Sequence, residues 1–279
     1  MQKIYLHGWN YRGQPFELAV RRAREFGFDR AEAFPGHFRD PKDPLQSQRE
    51  LKSIAESEGF ALPVASLQMD MTTDDESARR NTMAACPDYI AAIADMGFEL
   101  INGWIGQLTA PSGSYHESGS AMATEAHYNR VIEGAGVIAE AADSADIDVA
   151  LELHMNMIHD TVRSAARIID AVGGSRFKMN YDHANMHGYD HAERPEQAVH
   201  DAAPYIAYSH LKNCRRFNRD TDYHYPLRSG DLDYSIILRD MYRHGFRGPY
   251  CLEYSGAGDR NAQTGEDFRY LRSLLDEIE

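Results

Sequence analysis

A single (β/α)8 barrel spanning residues 1–279 is the fold this sequence predicts, and three observations predict it. The dipeptide Gly-Phe recurs as Gly27-Phe28, Gly59-Phe60, Gly97-Phe98 and Gly245-Phe246, each time behind a helix-like stretch. Glycine takes the left-handed conformation of a helix C-cap cheaply, and the apolar residue after it packs back on the last turn. Eight short apolar runs supply the strands, at 3–8, 30–34, 61–68, 98–104, 147–154, 177–183, 205–212 and 249–255. Finally, 279 residues with 43% hydrophobic and 26% charged side chains suit one large α/β domain, and no Pro/Ser-rich linker divides them.

Amphipathic helical stretches alternate with these strands. A helix over 15–26 opens on Pro15 at a first-turn position, and one over 44–58 opens on Asp43-Pro44. Others cover 160–172 and 234–244, while Pro87 is expected to kink the stretch 74–96 or to start a new helix within it. Eight strand-then-helix units close most simply as a barrel. Two connections exceed what the repeat requires, 105–124 and 213–233. Both follow strands, so they fall on the face of a barrel where substrates bind and are candidate lids.

Composition removes several function classes. Lys plus Arg number 29 against 43 Asp plus Glu, a net charge of −14 that repels phosphate backbones and anionic bilayers. Neither nucleic acid nor a membrane is an expected partner. No apolar run approaches the ~18 residues of a membrane span, and the first residues lack the layout of a signal peptide. Cys86, Cys214 and Cys251 are odd in number and form no Cys-x-x-Cys pair, so a disulfide framework and a thiolate zinc site are both unexpected; a reducing cytoplasm fits.

The chemistry-bearing candidates close four strands of the second half. They are Glu152 in Val-Ala-Leu-Glu-Leu-His, Asp182 in Met-Asn-Tyr-Asp-His, His210 in Ala-Tyr-Ser-His-Leu-Lys and Glu253 in Tyr-Cys-Leu-Glu-Tyr-Ser. A carboxylate within an apolar strand is costly to bury unless its charge is compensated, either by Arg or Lys or by a divalent cation. Three carboxylates and one imidazole make an oxygen-rich donor set that suits Mn2+, Mg2+ or Co2+ better than Zn2+. His154, two residues beyond Glu152, shares its strand face by the period-two rule and reads as a substrate ligand. His183, His187 and His191 have helical spacing, but Gly188 interrupts them, so a helical zinc site is not expected.

These four segments resemble the xylose isomerase-like barrels, in the sugar phosphate isomerase/epimerase branch that contains D-tagatose 3-epimerase-type enzymes, inosose dehydratases and hydroxypyruvate isomerases. The resemblance rests on Glu152-Leu153-His154, on Asp182 with Asn185, on His210-Leu211-Lys212-Asn213, on Glu253 and on the loop Pro226-Leu227-Arg228-Ser229-Gly230-Asp231-Leu232-Asp233-Tyr234. The intervals between the four candidates are 30, 28 and 43 residues. It implies one divalent ion, Mn2+ by preference, held by Glu152, Asp182, His210 and Glu253, and a metal-stabilised enediolate formed by proton abstraction next to a carbonyl. Glu152 and Glu253 would be the two bases of an epimerase or isomerase, and loss of a β-hydroxyl or β-alkoxyl group from the same intermediate would make the protein an inosose dehydratase-like enzyme or a lyase acting by β-elimination on a keto-glycoside. A free sugar, keto-sugar or cyclitol is the expected substrate, and a homodimer or homotetramer the expected assembly. Glu32 also matches a family position, unless it pairs with an arginine.

Recognition of the substrate is expected from His154, Asn185, Lys212, Arg215 and Arg216, with Trp9 and Trp104 stacking on a ring. Arg219 could join a basic nest for a phosphate, which Asp220 and Asp222 blunt. Type-IV apurinic endonucleases share the superfamily, and Asp222-Tyr223-His224 resembles their Asp-x-His pair. Asn185, Gln68 and Trp104 stand where those nucleases need histidines, so a trinuclear site cannot be completed. A non-catalytic carbohydrate-binding barrel would be expected to have lost at least one of the four ligands.

Overall fold

The computed structural model describes every residue except 219, 255 and 257, and the side chains of all the described residues except 195 and 196. In chain order its elements are β1 (Ile4–His7), α1 (Phe16–Phe26), β2 (Arg30–Glu32), α2 (Pro44–Ser57), β3 (Val64–Gln68), α3 (Glu76–Asp95), β4 (Leu100–Trp104), α4 (Glu125–Ala145) and β5 (Asp148–Glu152). There follow α5 (Val162–Val172), β6 (Phe177–Asp182), α6 (His183–His187), α7 (Pro195–Ala202), β7 (Ile206–Leu211), β8 (Asn213–Phe217), β9 (Asp220–Tyr225), α8 (Tyr234–Arg243), β10 (Tyr250–Leu252) and α9 (Arg260–Ile278). Eight strands take the cyclic order β1-β10-β7-β6-β5-β4-β3-β2 of a closed parallel barrel, and β8-β9 form a separate two-stranded sheet. Each of the eight expected strands is present, within one to three residues at either end.

The Gly-Phe punctuation has the expected cause. Gly27, Gly59, Gly97 and Gly245 all have positive φ, between 66° and 92°. In each case the following Phe N–H reaches back to the carbonyl five residues earlier, at Ala23, Ala55, Ile93 and Met241. That is the bond that closes a Schellman motif, and it turns the chain out of one helix toward the next strand.

The chain divides into two compact units, residues 1–66 with 208–279, and residues 67–207. In the first, β1 pairs with β2 (Leu6 opposite Ala31) and with β10 (Leu6 opposite Leu252), and β10 pairs with β7, placing Cys251 opposite His210. In the second, β5 lies between β4 and β6, with Asn102 opposite Ala150 and Glu152 opposite Asn180. Aliphatic side chains fill the strand positions that flank the polar residues; Ile101, Val149, Leu151 and Met179 are fully buried. The three cysteines are free thiols, all buried. No helix among the described residues is long and apolar enough to cross a membrane.

Of the two outcomes expected at Pro87, a new helix does not occur: α3 continues through it, although the ring cannot donate to the carbonyl of Met83. The long connection 213–233 contains the β8-β9 hairpin, paired from Arg215 opposite Asp222 to Phe217 opposite Asp220. Its strands are short and highly charged, which hid the alternation. Asn213 staples the rest of that loop: its Nδ2 donates to the carbonyls of Leu227 and Leu232, and its Oδ1 accepts from the N–H groups of Cys214 and Leu232. A side chain at Gly230 would collide with it, 2.0 Å from Oδ1.

Candidate active site

In residues 67–207, Glu152 ends β5 and Asp182 ends β6, with relative exposures of 2% and 0%. Glu152 Oε2 accepts hydrogen bonds of 2.8 Å from Asn102 Nδ2 and from Trp104 Nε1, two side chains that share one face of β4. Asn180 Nδ2 supports the first of these by donating to Asn102 Oδ1 at 3.0 Å. Asn185 bridges the two carboxylates. Its Nδ2 lies 3.3 Å from Glu152 Oε1 and 2.9 Å from Asp182 Oδ2, while its backbone N–H donates to Asp182 Oδ1, the N-cap of α6. Amide and indole donors therefore orient both carboxylates.

His159 holds the backbone beneath Glu152. It is fully buried, its Nδ1 lies 2.7 Å from the Glu152 carbonyl, and its Nε2 accepts from the N–H of Ile105. Burial pushes its pKa down to about 4, so the ring is neutral near pH 7, with the proton on Nδ1. His154 is half-buried. Its ring sits 4.5 Å from that of Trp104, and its Nδ1 is 3.0 Å from the Met155 carbonyl. These two rings line a pocket of about 380 Å³.

In residues 1–66 with 208–279 the polar groups are charged or chargeable. His210 Nε2 lies 2.8 Å from Glu32 Oε2, which also accepts from Tyr208 Oη at 2.7 Å, and His7 Nε2 is 3.7 Å from Glu32 Oε1. The His7 Nδ1 accepts the N–H of Trp9, so its proton faces Glu32. Burial alone would raise the Glu32 pKa, but His210, His7 and the two hydrogen bonds hold it below the usual range. Glu32 thus meets two imidazoles and a phenol. His210 turns its other nitrogen, Nδ1, to within 3.5 Å of Glu253 Oε2, and Lys212 Nζ is 2.8 Å from the same oxygen. Burial opposes ionisation of Glu253, yet Lys212, His210 and His7 keep it well below the ordinary carboxylate value.

The donor set can be tested against a cation. With Nε2 donating to Glu32, a neutral His210 would offer an Nδ1 lone pair to a cation on the Glu253 side, the carboxylate–imidazole arrangement that orients metal-binding histidines. Buried carboxylate oxygens with one imidazole fit a hard divalent ion. His7, Glu32 and His210 also bring donor atoms within 4.8 Å of one another, but an ion among them would have to break the 2.8 Å His210–Glu32 hydrogen bond.

The remaining candidates are more dispersed. Trp9 packs edge-on against Phe34, with the Arg12 guanidinium 4.4 Å above it. Arg215 and Arg216 lie on the hairpin; Arg215 donates to the Ser229 carbonyl, and Arg216 to that of Asn218. Asp222 and His224 face each other on exposed β9 at 2.6 Å. Arg219 lies outside the described residues. Sequence reasoning missed Asn102, Asn180, His7, Tyr208 and His159. The available signal was period two: Asn102 stands two before Trp104, Asn180 two before Asp182 and Tyr208 two before His210.

A family model described as xylose isomerase-like TIM barrel matches residues 20–274. Solved structures share the fold over nearly the whole chain. A D-allulose 3-epimerase from Methylomonas sp., in complex with D-allulose, is 15% identical with a TM-score of 0.77, covering 98% of this chain and 97% of that one. A xylose isomerase-like TIM barrel protein from Mycobacterium smegmatis, in complex with magnesium, is 19% identical with a TM-score of 0.73 over 100% of this chain and 98% of that one. A protein described as the probable 3-DHS dehydratase of petrobactin synthesis, from Bacillus anthracis, is 19% identical with a TM-score of 0.71 over 97% and 98%. No curated protein matches by sequence.

Proposed function

The chain belongs to the xylose isomerase-like TIM barrel family, and we propose that it is a divalent-metal-dependent sugar isomerase or epimerase whose 279 residues work as one barrel domain. The observation that carries this reading is the buried Glu152 carboxylate, fixed by three neutral N–H donors from Asn102, Trp104 and Asn185. Hydrogen bonds of this kind aim a buried carboxylate at one position, as a general base requires. Glu152, Asp182, His210 and Glu253, at or just past the C-terminal ends of four successive barrel strands, are the proposed ligands, with Mn2+ preferred over Mg2+ or Co2+. When bound, the ion supplies positive charge to the oxygen of a carbonyl whose neighbouring carbon loses its proton.

In this scheme one of Glu152 and Glu253, ionised, removes the proton from the carbon beside the carbonyl, and the other, carrying a proton taken up beforehand, returns it to the opposite face, which inverts the centre. Return to the adjacent carbon interconverts aldose and ketose. Trp104 and Asn102 keep Glu152 aimed during transfer, Lys212 and His210 set the charge on Glu253, and His154 and Trp104 contact the sugar. The family relationship and the D-allulose 3-epimerase likeness support a small carbohydrate substrate. The likeness to a dehydratase supports a second outcome: the same proton removal, followed by departure of a β-hydroxyl as water, gives an unsaturated product. The three buried thiols support a cytoplasmic location, and a dimer or tetramer is the proposed assembly.

Incubation with Mn2+ and free ketohexoses or inososes in deuterated water, followed by NMR, tests the reading. Label should enter one carbon, product identity should separate epimerase from dehydratase, and chelation should stop exchange until Mn2+ is restored. Exchange that persists in Glu152→Gln would overturn it.

A further inference from the structure

We propose that the pocket beside Glu152 is a subsite for a second sugar ring, so that the preferred substrate is a keto-sugar carrying a glycosyl substituent; this rests on the sugar-enzyme reading above. Size is the first argument. A cavity of about 150 Å³ takes one six-membered ring, and this one measures about 380 Å³ without including Glu152 in its walls. Its position is the second. Trp104 forms a wall of the pocket and donates to Glu152 Oε2 at 2.8 Å, so the pocket adjoins the proposed base across the indole. A group in the pocket is therefore placed to be a substituent of the reacting carbon framework.

The lining chooses the kind of group. Trp104 and His154, with rings 4.5 Å apart, and the Met155 thioether offer apolar faces of the kind that pack on the C–H side of a pyranose. Gln68, Gln107 and Asn156 offer amides, donors and acceptors together, for the hydroxyl edge of the same ring. A purely aromatic substituent would give those amides nothing to bond. A phosphate is disfavoured because the lining contains Asp70 and neither Lys nor Arg.

The walls are preformed. Gln107 pairs with Met157 in an isolated antiparallel bridge, Leu108 N–H donates to the Asn156 carbonyl at 2.7 Å, and Thr72 Oγ1 donates to the Gln107 carbonyl at 2.7 Å. Asn156 itself is held at φ 66°, a left-handed conformation uncommon outside glycine. A wall fixed before the ligand arrives lowers the ordering cost of binding.

Isothermal titration of the Mn2+-supplemented protein with methyl β-glucoside, cellobiose and maltose tests the subsite without requiring turnover. At least one two-ring sugar should bind about tenfold tighter than the one-ring glucoside. Asn156→Gly, which keeps the left-handed backbone, and Gln107→Ala should each reduce that advantage about fivefold, the worth of one hydrogen bond. Equal affinity for one and two rings, or an advantage intact in both variants, overturns the subsite. Deuterium exchange separates this proposal from the one beneath it. Two-ring binding with no exchange on any keto-sugar leaves the subsite standing and removes the chemistry; exchange that is equally efficient on free and glycosyl-substituted keto-sugars does the reverse.

Discussion

Two regions of this molecule bury carboxylates, and the partners that orient them differ in chemistry. In residues 67–207, Glu152 and Asp182 are gripped by the amides of Asn102 and Asn185 and the indole of Trp104. In residues 1–66 with 208–279, Glu32 and Glu253 meet His7, His210 and the ammonium of Lys212. Hydrogen-bond dipoles fix the direction of a carboxylate, and a cation at 2.8 Å also favours its ionised form. In the proposed scheme the first arrangement aims Glu152, and the second lowers the pKa of Glu253.

The largest expected effect breaks this contrast at its centre. Glu152→Gln should lower deuterium exchange by roughly 10²–10⁴-fold in single-turnover NMR assays, the usual worth of general acid–base catalysis. Glu253→Gln should match it if both are bases; a much smaller loss would restrict Glu253 to a supporting role. Lys212→Met then removes the compensating cation. Breaking a buried pair costs about 3–5 kcal/mol, so the melting temperature should fall by several degrees at least, and added Mn2+ should recover part of the loss. An unchanged melting curve would mean that the Lys212–Glu253 contact contributes nothing.

Smaller effects sharpen the comparison. Trp104→Phe keeps the ring and deletes one neutral donor, and should lower kcat about five- to tenfold with little change in melting temperature. A large stability loss instead would make the indole a structural prop. Asp267 is an internal reference, a buried carboxylate whose hydrogen bond comes from the Leu227 backbone N–H. Burial pushes its pKa up to about 7, so the native state favours the protonated form. Its stabilising contribution is therefore present below the unfolded pKa of about 4 and is lost as pH rises through about 7. Asp267→Asn should melt close to wild type near pH 4 and a few degrees higher at pH 8; a pH-independent difference would contradict this.

The barrel was legible because its punctuation is local. A glycine at positive φ and the Phe behind it, as at Gly27 and Phe28, can be recognised without knowing what they pack against. The four strand-end candidates were legible for a similar reason, since a carboxylate or imidazole closing an apolar run stands out. Their supports were not. Asn102 and Asn180 look like ordinary interruptions of a strand until pairing places them beside Glu152. His159 acts across seven residues of loop on a backbone carbonyl, a relation that no sequence period encodes. The bonds of Arg215 and Arg216 to backbone carbonyls of their own loop were equally hidden, because charge in a loop does not say where it is received.

The cysteines have a practical use. Cys86 lies in one compact unit, Cys214 and Cys251 in the other, and none reaches the surface. A thiol-directed reagent should therefore remain silent on the native protein and report each region as it opens, so that mass spectrometry of the labelled peptides times the loosening of the two parts separately.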